Sequence, residues 1–232
     1  MSAHLAAFLF ALVVCVFLHL AAILIAGVAS GVEVRRFSFG IGPRLWQHRR
    51  FELRLIPFAG QVEFRDLRSE DVDAMALGLQ RGDPKASRYL DLQPRYRQVL
   101  ISLSGCAALL VLGYAVLGPQ AGAELVRGFE QIIGGAVSPL DAAQRMLSAA
   151  QRQILALSPA HLLALVAVKL AALNLLPFAP FNGANAIGAA LSGDTAIAYG
   201  WERWTHVAIW ASIAMGLSWL VALAVFLGTS PA

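Results

Sequence analysis

Long apolar runs alternate along the chain with one polar, basic stretch. Residues 5–29 are apolar apart from His19. A run of this length exceeds the roughly 20 apolar residues a helix needs to cross the hydrocarbon core. Three further apolar segments follow at about 99–117, 160–178 and 205–228, the third of these four carrying Lys169 and Asn174. The pattern predicts a mainly α membrane protein, a single domain over 1–232 with about four transmembrane helices. The opening MSAHL has no basic segment before the apolar run, and the run is too long for the core of a signal peptide, so it is read as a retained span.

Between the first two spans the period changes from that of a helix to that of a strand. Val32 and Val34, then Phe37 and Phe39, alternate with polar neighbours, and "FELRLI" alternates again before "PFAG" and "QVEF". A small β-sheet or hairpin is expected directly after the first helix, with Gly40, Gly42 and Pro43 separating one strand from the next. Asp83-Pro84 has the chemistry of a helix start leading towards the second span. In the 118–158 loop, Ser138, Pro139 and Asp141 suit the N-cap, first and third positions of an amphipathic helix, and Ser158-Pro159 suits the start of the third span.

Composition sharpens this picture. Apolar residues are 58% of the chain and charged residues 14%, against about 45–50% apolar in soluble domains. These two figures together favour an integral membrane protein. Of the 18 Lys and Arg, 13 lie between Arg35 and Arg97, which places residues 30–98 on the cytoplasmic side and 118–158 outside. Most of the acids share that stretch, so it is a solvated or interfacial region and not a nucleic-acid surface. The partner that composition demands is the lipid bilayer. Cys15 and Cys106 both sit in apolar runs without CxxC spacing and read as small buried hydrophobes.

Two stretches carry a family resemblance. His19 is followed twelve residues later by "GVEVRRFSFGIGP" and then by "LIPFAGQV"; "SGCAAL" lies in the second span, and "NLLPFAPFNG", residues 174–183, ends the third. This order resembles the site-2 protease family of zinc intramembrane metallopeptidases, over about residues 5–228. The resemblance implies a first-span HExxH, whose two histidines bind zinc from one helix face while the glutamate activates water, and a third ligand from the aspartate of an "NLLPxPxLDG" motif. It also implies a β element whose edge pairs with an unwound substrate, with Gly60, Asn174 and Pro177 in the substrate-contacting segments, and a bacterial-type plasma membrane.

The chemistry departs from that pattern. The HExxH window reads "HLAAI", so Leu20 stands at the general-base position and Ile23 at the second ligand, while Asn182 replaces the aspartate. Cys106 and Leu109 replace the Pro and Asn of the second-span motif. The vestigial ligand positions are His19, Ile23 and Asn182; no catalytic residue, metal or other cofactor is expected, zinc belonging to active relatives. Lys169 is a candidate buried cation that fills the space of the missing metal, and His206 a remoter candidate near the old site. The resulting expectation is a degenerate, catalytically inactive pseudoprotease that binds transmembrane segments of other proteins or regulates a membrane partner. Alternatives are a zinc-dependent intramembrane metalloendopeptidase with a rebuilt metal site, and a scaffold or transport-associated helix bundle.

Overall fold

A computed structural model describes residues 3–67, 85–191 and 195–229. Within them the order is α1 (Ala3–Ala29), β1 (Val34–His48), β2 (Phe51–Phe64), a 3-10 turn (Ala86–Arg88), α2 (Arg95–Leu117), α3 (Gln120–Val137), α4 (Ala142–Ala156), α5 (Pro159–Asn174), α6 (Asn182–Leu191) and α7 (Thr195–Thr229). The Asp83-Pro84 helix start lies outside the described residues, as does the side chain of His206.

Among the described residues, three helices are long and apolar enough to cross a membrane: α1, α2 and the Val207–Thr229 part of α7. Their outer faces are apolar too, with Phe10 and Ile25 of α1 and Trp210 of α7 largely exposed. Such all-round hydrophobicity suits a lipid environment. The expected third span is shorter than its sequence reading. Helix α5 has 16 residues, about 24 Å at the α-helical rise. It ends at Asn174 because Pro177 and Pro180 follow, and residues before proline avoid the helical region. Its start is as expected: Ser158 caps it by accepting from His161 N, with Pro159 in the first turn.

Helices α1, α2 and α5 pack against one another, and α6 lies on α2. Their shared core joins Cys15, Leu109, Ala167 and Ala171, all fully buried. Outside this core, α3 packs on α5 and on α7. The reading of 118–158 as a loop with one helix is corrected: it holds two, α3 and α4. Helix α3 was masked in sequence by its glycines. Here they serve close packing, Gly135 lying under the Trp219 ring. Trp219 Nε1 and Ser218 Oγ also donate to the Ile132 and Ala136 carbonyls at 3.0 and 2.6 Å. Helix α4 begins at Ala142, later than Ser138-Pro139 suggested. The Ser138 hydroxyl still accepts from Ala142 N at 3.3 Å.

The hairpin is one antiparallel pair of long strands. Gly40 and Gly42 do not end β1; at φ 94° and 85° they bend it. The bend folds the hairpin onto its own base. Phe37, Ser38 and Phe39 pair with Val62, Gln61 and Gly60, and also with Phe51, Glu52 and Leu53. Phe37 N donates to Arg50 O at 2.7 Å. The base lies along α1: Phe37 packs with Val16 and Leu20, and the Phe39 and Phe17 rings meet edge to face at 5.7 Å.

Candidate functional site

The site forms where α1, α2 and the start of α6 converge. His19 is 6% exposed. Its ring fits because residue 105, on the facing helix, is glycine. A Cβ there would stand 2.5 Å from His19 Nδ1 and 2.8 Å from its carbonyl oxygen, well inside van der Waals contact. Asn182 reaches the same point as the first residue of α6. Its Nδ2 donates to Ser102 O at 2.8 Å and lies 3.4 Å from His19 Nε2.

The Asn182 Nδ2, held by the Ser102 carbonyl, turns towards His19 Nε2, which accepts from it in the tautomer that carries its proton on Nδ1. Nδ1 is buried and has no hydrogen-bond partner among the described residues. The amide orientation is thus the reverse of that needed for two donors to face one cation.

The remaining positions of the window are apolar and filled. Leu20 is 5% exposed and packs with Val16 and Phe37. Its Cδ1 occupies the place a Cβ on Gly60 would need, so β2 closes directly over it. Ile23 joins a different apolar group, with Val32, Phe64 and Ile101. Cys106 and Leu109 are buried at 1% and 0% exposure. Both cysteines are free thiols.

The structure brings Asn182 to His19 and Gly60 to the adjacent Leu20, and leaves other named residues elsewhere. Asn174 donates to Leu170 O at 2.9 Å in the last turn of α5, and Pro177 is exposed in the connection to α6. The placement of Lys169 in the space of a metal is corrected. Its ammonium bonds Glu124 of α3, at 2.8 Å to Oε2 and 2.9 Å to the backbone oxygen. A cation in a bundle interior is held by the nearest carboxylate and carbonyl, and here both come from α3. Ser102, Gly105 and Glu124 were missed by sequence reasoning. Gly105 had a visible signal, a glycine inside an apolar span, but its partner could not be read from it.

A membrane-embedded helical core, a histidine at the depth of the first span and a sheet folded along that span define a protein built like an intramembrane peptidase. The profile of peptidase family M50 matches residues 7–217. The chain belongs to that family. It is also 29% identical over 115 residues, 48% of its length, to a Nostoc sp. protein named "Putative zinc metalloprotease all3971". It spans only 29% of that relative's length.

Proposed function

We propose that this M50 member is a pseudoprotease, which binds transmembrane segments of other proteins or regulates a membrane partner without cleaving them. The observation that carries this reading is the packing of Leu20, on α1, against Gly60 of β2. A general base at that position would be a carboxylate in contact with a metal-bound water; a leucine sealed beneath a strand can neither take a proton nor leave room for the water. The donor set points the same way. A catalytic zinc takes three protein ligands from nitrogen, oxygen or sulfur. The described residues contain no group of three or more His, Cys, Asp or Glu, and His19 and Asn182 alone do not fit the ion.

The retained hairpin and the 174–182 connection support the binding half of the proposal. Strand addition needs only backbone groups from the protein, and Gly60, Asn174 and Pro177 are the positions proposed to meet a bound segment. We propose a single domain in a bacterial-type plasma membrane, as the family resemblance suggests, with 30–98 cytoplasmic on the strength of its basic residues.

Zinc content and cleavage of a co-expressed transmembrane segment test the proposal together. The purified chain is expected to carry no stoichiometric zinc and to leave the segment intact, yet to cross-link to it from positions in 51–65. One zinc per chain, with cleavage, would establish the competing metallopeptidase with a rebuilt site. Absence of any cross-link above background would favour a scaffold.

A further inference from the structure

A second polar site lies at the base of the hairpin, just beyond the end of α1. Glu33, Val34, Arg35, Arg50 and Arg65 line a cleft of about 240 Å³. It is built on fixed backbone. Glu33 N donates to Arg88 O at 2.9 Å, Arg65 N to Glu33 O at 2.8 Å, and Leu90 N to Arg65 O at 2.8 Å. Arg50 comes from the hairpin tip, carried back to the base by the fold of the sheet.

Among the described residues that line this cleft, arginines outnumber carboxylates. Glu33 Oε1 accepts from Arg50 at 2.5 Å and Oε2 from Arg65 at 3.4 Å. Arg50 also donates to Val34 O at 2.6 Å, and the Arg65 guanidinium lies 4.7 Å from the Tyr89 ring centre. One carboxylate thus orients two guanidiniums, while exposed Arg35 makes no ion pair among the described residues. Among the described residues, Arg35, Arg50 and Arg65 line the concavity with the carboxylate of Glu33. Forked N–H donors around an open volume match the oxygens of a phosphate.

Position identifies the phosphate. The cleft begins four residues beyond Ala29, the last residue of α1, so it sits where a spanning helix leaves the hydrocarbon and meets headgroups. Basic groups at this depth recognise anionic lipid. We propose that the Arg35–Arg50–Arg65 cleft binds the phosphate of an anionic lipid headgroup, with Glu33 as the positioning residue. This holds whether or not the protein cleaves anything.

The test uses the full chain reconstituted in nanodiscs of equal parts phosphatidylcholine and phosphatidylglycerol, followed by native mass spectrometry of the lipids that stay bound. Phosphatidylglycerol is expected to be retained over phosphatidylcholine. Arg35→Gln, at an exposed side chain whose loss leaves folding intact, should cut that preference about fivefold, the effect of one arginine at an anionic surface. Arg152→Gln, on the exposed face of α4, should leave it unchanged. Equal retention by wild type and Arg35→Gln would overturn the proposal, as would an equal loss in Arg152→Gln. Displacement of the lipid by a large excess of inorganic phosphate would overturn the lipid as the source and assign the cleft to a soluble phosphate.

Discussion

Asn182 points its amide nitrogen at His19 Nε2 from 3.4 Å, across 163 positions of sequence. The contact joins the buried histidine to a side-chain amide in the bundle interior. Two residues at ligand positions of a metallopeptidase thereby satisfy each other in part, with Ser102 as the third member.

Gly105 is the residue that permits this contact. Gly105→Ala is expected to destabilise the protein by about 1–3 kcal/mol, because a methyl group would meet both the His19 ring and its backbone oxygen with no flexible side chain to yield. Thermal unfolding in detergent measures the loss. A melting temperature equal to that of wild type would show that α1 and α2 do not approach as closely as described.

Leu20→Glu is expected to be severely destabilising, by several kcal/mol, since it places a carboxylate in the apolar group of Val16 and Phe37 beneath Gly60. Leu20→Met should cost less than about 1.5 kcal/mol. The comparison distinguishes a filled core from a hydrated catalytic cleft, in which glutamate would be accepted. Comparable yield and melting temperature for the two variants would count against the filled core.

The Lys169–Glu124 pair should obey the rule for half-buried ions. Lys169→Met alone is expected to cost less than the roughly 3–5 kcal/mol of an uncompensated buried charge, because Arg127 still bonds Glu124 Oε1 at 2.6 Å, whereas Lys169→Met with Glu124→Gln should recover part of that loss. A double-mutant cycle by thermal unfolding reads the coupling; additive single effects would mean the two side chains act independently.

The hydrogen bond from Arg50, with Arg65 beside it, holds the Glu33 carboxyl below its ordinary value of 4.5. A depressed carboxylate stabilises the folded protein above the unfolded value, and this contribution fades as pH falls through the folded one. Wild type should therefore melt above Glu33→Gln at neutral pH. The two curves should converge as the pH drops below about 4.5, the ordinary carboxylate range. A constant difference down to strongly acid pH would remove charge from the explanation.

Much of the architecture was legible along the chain. The all-apolar runs of α1 and α2 announce membrane helices, because bilayer thickness converts directly into a residue count. Alternation at Val32, Val34, Phe37 and Phe39 announces the strand, since side chains on a pleat change face at every residue. The window from His19 to Ile23 was legible through the spacing of "GVEVRRFSFGIGP" behind it. Helix α3 was not: glycines count against a helix locally, and what outweighs them is Trp219, more than eighty positions away.

The sequence by itself determined the hydrophobic spans, the β element after the first of them, the family pattern and the identity of the residues at its chemical positions. These are properties of order and spacing, set by local geometry and by transfer from water. Only the tertiary structure decided that Leu20 lies sealed under Gly60, that Asn182 offers His19 a hydrogen, that Lys169 belongs to Glu124, and that the hairpin tip returns Arg50 to Glu33. Each of these depends on which surfaces meet when helices and strands pack, and close contacts between residues far apart in the chain leave no periodic trace in it.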